Sequence, residues 1–386
     1  MNMQWLCCQL GAREHYAVPR ALQTRGLLRE LITDLWVRPR TLPKWRNKLN
    51  GRFHPELASA RVSELNAAAV VFELKAQALG LKGWELIGKR NEWFQDHALA
   101  QLERRASELN HGSVTIFAYS YAAERIFRFA RERGWRTVLG QIDPGPVEEQ
   151  RVASSTPAPD KYWSGWRIEC ELAEQIIVNS EWTRDALLKE GVSDSKIRKI
   201  PLAIAPPRDA ARFQRLYPTA FTKERPLRVL FLGQINLRKG AAQLLDAAHL
   251  LAGEHVEFRL VGPRQISADK ERGSRVKWFG AVPRSKVDEF YRDADVFILP
   301  TLSDGFGLTQ LEAQSWKLPV IASRFCGPVV QHGHNGLILD EVSGESIAAT
   351  LRELLCSPER LAAMSQQSRI SEEFTLESLA SSLSQL

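Results

Sequence analysis

Asp295–Ser323 reads DVFILPTLSDGFGLTQLEAQSWKLPVIAS. Its first part, DVFILP, is a short apolar run of the kind that forms a strand buried on both faces, and LPVIAS is a second one. Between them LTQLEAQSW has helical periodicity, so the stretch is a strand–helix–strand unit and implies a parallel pairing. The loop before the helix holds one carboxylate, Asp304, then Gly305, Phe306 and Gly307. Glycines there let backbone approach a ligand closely. The helix start at Leu308 and Thr309 presents free N–H groups to an anion, and Thr309 adds a hydroxyl. Glu312, about one turn into the helix, repels a phosphate but accepts hydrogen bonds from sugar hydroxyls, as Asp304 does on the other side. The order of groups describes a sugar–phosphate–phosphate–sugar ligand.

The same alternation extends along most of the 386 residues. Candidate strands are QWLCCQ, SVTIFA, RTVLGQ, EQIIVNS and IRKIPL, then LRVLFLG, VEFRLVG, RVKWFG, DVFILP and LPVIAS. Helical segments such as SEWTRDALLKEG and AAQLLDAAHLLAG lie between them. A proline- and charge-rich stretch near 203–226 interrupts the pattern and reads as an interdomain connection. The expectation is an α/β protein of two Rossmann-like, doubly wound parallel-sheet domains facing across a cleft. The boundaries are 1–205 for an acceptor-side domain and 206–365 for a donor-binding domain, with a helix at about 366–386 packing back on the first.

Composition is ordinary for a globular chain, with 44% hydrophobic and 25% charged residues. Five cysteines without metal-type spacing suit a reducing compartment. The N-terminus lacks the pattern of a signal peptide and no segment is apolar enough to span a bilayer, so the expected location is cytoplasmic, peripheral at the inner face of the membrane. The net charge is +7. From Asp34 to Glu56 every charged residue between the two is basic, in WVRPRTLPKWRNKLNGRF at 36–53. That run suits phosphate-bearing partners: anionic lipid headgroups, a phosphorylated substrate or nucleic acid. A solvated loop is the plain alternative. The partner carried forward is an anionic membrane surface, with no nucleic acid.

Residues 298–323, ILPTLSDGFGLTQLEAQSWKLPVIAS, resemble the donor-binding segment of retaining glycosyltransferase family 4 (glycosyl transferases group 1), which has the GT-B fold. That family carries two acids separated by seven residues, the second inside LEA; Asp304 and Glu312 have this spacing, with aspartate where glutamate is usual. VLFLGQINLRKG supports the resemblance. The family has an arginine directly after the first glycine and a lysine before the second, both on the donor diphosphate. Here Gly233 and Lys239 match, Gln234 takes the arginine position, and Arg238 is the compensating cation. WFGAVPRSKVDEFYRDADVFILP is similar to the stretch whose backbone near Val282 lines the nucleobase pocket. IIVNSEWTRDALLKEG and HGHNGLILD also fit, and the likeness covers about 165–345.

The N-terminal half matches loosely. The family places a glycine-containing loop over the donor phosphates after the first strand, where Gly11 stands in QLGAREHYAVPRAL; Arg13, His15 and Tyr16 point toward the cleft or lie on a helix surface. A histidine near the reacting sugar has no counterpart; Gln141 and Asp143 occupy that place, and Asp143 orients the acceptor or is an ordinary turn residue.

The resemblance implies a hexosyltransferase-type enzyme of glycan biosynthesis. It transfers sugar from a nucleoside diphosphate donor to a glycan or lipid-linked hydroxyl acceptor with retention, without metal or other cofactor. The catalytic candidates are Lys239, Arg238, Glu312, Asp304 and Asp143. Two readings compete: a degenerate nucleotide-sugar binder without turnover, and another GT-B enzyme such as an epimerase. Asp293-Ala294-Asp295 mimics a metal-binding acid pair but sits at a helix–strand junction and reads as structural; His332 and His334 read as loop residues.

Overall fold

In the computed structural model, which describes residues 4–38, 51–109, 114–152, 156–266 and 275–386, the apolar runs form two all-parallel sheets. The first contains β1 (Gln4–Gln9), β2 (Leu28–Thr33), β3 (Val62–Glu64), β4 (Val114–Tyr119), β5 (Arg136–Gly140), β6 (Gln175–Val178) and β7 (Ile197–Lys199). Its order is β3-β2-β1-β4-β5-β6-β7, every pair parallel. Between these strands run α1 (Ala17–Thr24), α2 (Asn66–Ala78), α3 (Gly83–Arg105), α4 (Glu124–Glu132), α5 (Pro146–Val152), α6 (Asp160–Leu172) and α7 (Glu181–Lys189).

The second sheet contains β8 (Leu227–Leu232), β9 (Val256–Val261), β10 (Val276–Gly280), β11 (Val296–Leu299), β12 (Val320–Ala322) and β13 (Gly336–Ile338). It is again parallel throughout, in the order β10-β9-β8-β11-β12-β13. Its helices are α8 (Ala241–Leu250), α9 (Val287–Asp293), α10 (Thr309–Ser315), α11 (Gly344–Cys356) and α12 (Pro358–Gln367), and α13 (Leu376–Ser384) follows them. Two doubly wound sheets of this kind, facing across a cleft, are the GT-B arrangement. In each sheet the order reverses beside the first strand, between β1 and β4 and between β8 and β11; ligands bind at such switch points, beyond the carboxyl ends of the strands.

Helices cover both faces of each sheet, which is why the strands read as unbroken apolar runs. In β1, Trp5 and Cys7 enter the core on one face while Leu6 and Cys8 enter the core on the other. Four of the five free cysteines are buried core residues, and Cys356 is exposed. Neither β2 nor the short β3 that pairs with it has a counterpart among the ten strands expected from the sequence, and the three-residue β13 is absent from them too. Helix α2 departs from the usual pattern in the other direction. Ala67, Val70, Val71, Leu74 and Ala78 share one face by helical spacing, and all five are exposed, Val70 to 55% and Leu74 to 62%.

The chain crosses between the sheets twice, once after β7 and once before α13. The two crossings are joined by Ile204 N–H donating to the Phe374 carbonyl at 2.9 Å. Helix α13 then packs on α1, placing Leu379, Ala380 and Leu383 among Trp5, Ala17 and Ala21 in the core of the N-terminal domain. Arg25 Nη2 donates to Ser381 Oγ at 2.9 Å beside this contact. Leu383 is fully buried. Leu383→Ala is therefore expected to destabilise the N-terminal domain by about 2–5 kcal/mol. Urea denaturation followed by tryptophan fluorescence checks this, and a change under about 0.5 kcal/mol, typical of a surface site, contradicts the placement.

Candidate active site

The turn after β8 brings two adjacent cations to the end of β11. Asn236 Oδ1 accepts from Lys239 N–H at 3.0 Å and shapes the turn. Gly240 has φ +74°, and a Cβ there would overlap the Pro300 carbonyl, so only glycine lets the turn lie against the β11 end. The Arg238 carbonyl then accepts from Leu302 N–H at 2.8 Å and Thr301 Oγ1 at 3.0 Å, knitting the turn to the Asp304 loop.

Lys239 Nζ pairs with Asp304 Oδ2. Burial raises the Asp304 pKa, but Lys239 and Arg238 outweigh it and hold the carboxyl below its ordinary range. Arg238 Nη1 donates to the Ser303 carbonyl at 3.4 Å and lies 3.6 Å from Glu148 Oε1, a carboxylate of the other domain. Glu148 Oε2 also accepts from Ser303 Oγ at 2.8 Å, and Ser303 Oγ accepts from Trp182 Nε1 at 2.9 Å. Burial pushes the Glu148 pKa up to about 7 against the pull of Arg238, with Asp143 and Asp304 adding to the rise.

Gly305, Phe306 and Gly307 have three separate jobs. A Cβ on Gly305 would overlap the Ile142 carbonyl, so this glycine lets the N-terminal domain close on the loop. Phe306 is 2% exposed and packs with Leu202, Leu311, Val329 and Phe374, so its ring belongs to the core and only its backbone faces the Asp304 carboxylate. Gly307, at φ +81°, turns the chain into α10, with Leu308 as its N-cap and Thr309 its first residue.

Glu312 accepts from Tyr291 Oη at 2.9 Å and stands 3.6 Å from Arg284 Nη2. Burial raises its pKa in spite of Arg284 and Tyr291. Arg284 in turn donates to His15 Nε2 at 2.7 Å across the cleft. His15 belongs to a run of three non-glycine residues in left-handed conformation, Glu14, His15 and Tyr16, at φ 51°, 54° and 60°. Glu14 is tied down by Tyr119 Oη donating to its carboxylate at 2.9 Å. His15 thus faces the cleft, whereas Tyr16 is buried against Trp36 in the domain core and is no cleft residue. Arg13 lies over the Tyr119 ring. Gly11, at φ +84°, donates its N–H to Asp34 Oδ1 at 2.9 Å.

Gln141 is buried, accepting from Trp166 Nε1 at 2.9 Å and donating to the Asp143 carbonyl at 2.8 Å. Asp143 accepts from Gly145 N–H at 2.9 Å, as a turn aspartate does, and also from the hydroxyl of Tyr121. Gly233 lies against the turn after β9, where a Cβ on Gly262 would overlap its carbonyl. Gln234 is exposed, and Val282 is partly buried against the second domain's core. Asp295 is held by both Nη atoms of Arg225 at 2.6 Å, and Asp293 by Arg228 and Arg259 at 2.5 Å each, an ion-paired junction. His332 Nδ1 accepts from Ile338 N–H at 3.1 Å within its loop. Among the described residues no group of three or more His, Cys, Asp or Glu side chains could hold a metal ion. Of the basic run, residues 39–50 lie outside the described residues; Arg52 pairs with Asp34 at 2.9 Å.

Residues 217–371 match the sequence profile of the family described as Glycosyl transferases group 1. The second domain is a group 1 glycosyl transferase domain. Curated relatives of the group 1 domain include the D-inositol 3-phosphate glycosyltransferase of Acidothermus cellulolyticus, 30% identical over 52% of this chain and 49% of the relative. The enzyme of the same name from Thermobispora bispora is 31% identical over 36% of this chain and 37% of the relative. The chain therefore spans half or less of the length of these relatives. Solved structures align over both domains. Sucrose-phosphate synthase from Thermosynechococcus elongatus matches with TM-score 0.69 at 18% identity, covering 99% of this chain and 98% of that one. HepE of Anabaena, in complex with UDP, matches with TM-score 0.66 at 14% identity, covering 99% of each. At such identities the likeness is one of fold.

Glu148, Ser303, Arg284 and Tyr291 join the site although the sequence did not single them out. Arg284 stood inside AVPRSK, and Glu148 follows the DPGP turn, but neither has a motif of its own. The His15–Arg284 contact carries a pH signature. Burial, with Arg284, Arg20 and His54 nearby, lowers the His15 pKa to about 4. Its unfolded value is near 6.5, so the unfolded chain binds the extra proton first and stability falls as pH drops from about 6.5 to about 4. In His15→Gln the urea midpoint should fall less steeply over that window than in the native chain; equal slopes contradict the assignment.

Proposed function

We propose that the chain is a retaining glycosyltransferase that moves a sugar from a nucleoside diphosphate sugar to a hydroxyl acceptor. The observation that carries this reading is the convergence of Arg238, Lys239 and Asp304 at the carboxyl ends of β8 and β11, the switch point of the group 1 domain, with Glu312 in the first turn of the α10 that follows. Arg238 and Lys239 meet the diphosphate, Glu312 accepts a hydroxyl of the nucleotide's sugar, and Asp304 accepts one from the transferred sugar. UDP bound to the structural relative HepE supports a nucleoside diphosphate as the ligand class. Negative charge develops on the departing phosphate, and fixed cations there stabilise the transition state. No protein nucleophile and no metal are required: leaving group and acceptor share one face of the sugar, and Lys239 with Arg238 supplies the countercharge.

The acceptor in this reading is lipid-linked and reached at an anionic membrane surface. Trp36 N–H donates to Asn66 Oδ1 at 2.9 Å and Asn66 Nδ2 donates back to the Trp36 carbonyl at 3.0 Å, tying the start of the basic run to the first residue of α2. The exposed apolar stripe of α2, flanked by Lys75 and Lys82, supplies the insertion face that cations alone lack. No helix of the described residues is long and apolar enough to cross a membrane.

A screen of UDP, GDP and ADP sugars by thermal shift identifies the donor, and product anomer analysis tests retention. Lys239→Ala and Glu312→Ala are each expected to lower turnover about 100- to 1,000-fold with the fold intact; near-native turnover in either defeats the assignment. Val70→Asp with Leu74→Asp should weaken co-sedimentation with vesicles containing phosphatidylglycerol while leaving transfer to a soluble acceptor analogue unchanged. Undiminished vesicle binding removes α2 from the membrane contact.

A further inference from the structure

Every positive charge at the proposed diphosphate site is already matched by a carboxylate. Lys239 is held by Asp304 of its own domain, and Arg238 faces Glu148 from the first turn of α5 in the other domain. The groups around Glu148 come from three loops: Arg238 after β8, Asp143 before α5, and Ser303 and Asp304 after β11. Helix α5 also clamps the Asp304 loop directly. Arg151 Nε donates to the Leu302 carbonyl at 2.7 Å, and its guanidinium lies 3.4 Å from the Phe325 ring centre.

With all three carboxylates ionised against two cations, a further dianion meets net repulsion unless one carboxylate gives up its charge. A diphosphate that takes Arg238 strips Glu148 of its counter-ion and places new negative charge beside it. The geometry points to Glu148 as the counter-ion that the donor diphosphate displaces from Arg238, accepting a proton as it is displaced. This rests on the reading that Arg238 and Lys239 receive the donor diphosphate.

Burial puts the Glu148 pKa at about 7, with Arg238 holding it from rising further. Exchanging Arg238 for phosphate raises it again. Below pH 7 the group is largely protonated before the donor arrives; above it, binding takes up a proton and affinity falls with rising pH. Full uptake of one proton makes that fall about tenfold per pH unit.

Calorimetry tests this with the tightest-binding of UDP-glucose, GDP-mannose and ADP-glucose, whose diphosphates do not titrate between pH 7 and 8.5. Titrations at pH 7.5 and 8.5, in two buffers of different ionisation heat, are expected to show uptake approaching one proton and about a tenfold loss of affinity. Glu148→Gln should abolish the uptake, flatten the profile and bind more tightly than the native chain at pH 8.5, and Glu148→Ala should do the same. Native binding without proton uptake overturns the proposal, with no variant needed. So does a Glu148→Gln profile as steep as the native one. In either case loss of binding in Lys239→Ala leaves the donor site standing. If Lys239→Ala binds as the native chain does, or none of the three sugars binds, the donor site fails and the proposal with it.

Discussion

Arg238 and Lys239 are neighbours in sequence and lie in a half-buried cleft, where an unmatched charge costs several kcal/mol. Each has one carboxylate, and the two carboxylates come from different domains. Lys239 with Asp304 keeps the group 1 domain's loops in register. Arg238 with Glu148 makes the charge balance of one domain depend on the position of the other.

The backbone is built around that dependence. Gly240 lets the cation turn press on the end of β11, and Gly305 lets the Ile142 carbonyl press on the Asp304 loop. The Ser303 hydroxyl passes hydrogen bonds between Trp182 and Glu148, both of the N-terminal domain. At the far side of the same cleft, His15 reaches Arg284, which faces Glu312. The interdomain contacts therefore fall on the residues of the proposed donor site. Helix α13 anchors the end of the chain in the core of the first domain, so the domains are joined by two crossings rather than one flexible linker.

The sheets were legible because strands buried on both faces must be continuously apolar, and ten such runs stood out between helical periodicities. Three strands were not: LRELIT of β2 is broken by Arg29 and Glu30, and VSE of β3 and GLI of β13 have too few residues to show a period. The Asp304, Glu312 and Lys239 positions were legible because each sits in a local strand–turn–helix pattern whose geometry the spacing sets. Glu148 and Arg284 were not, because their roles exist only once the domains meet; His15 could be placed toward the cleft, but not its partner Arg284, 269 residues away. Phe306 shows the limit of local reading from the other side. Between two glycines in a ligand loop it reads as a binding residue, yet its ring fills space against Phe374, from a segment that returns only after the second domain is complete. The outward apolar face of α2 lies beyond periodicity, because an apolar stripe on a helix does not say whether that face is covered.

A crystal structure of the chain soaked with its nucleoside diphosphate sugar tests the account most directly. It predicts the diphosphate within hydrogen-bonding distance of Arg238 and Lys239, with the Glu312 carboxylate on a sugar hydroxyl. A sugar nucleotide bound elsewhere, with Lys239 still on Asp304 and Arg238 still on Glu148, contradicts it.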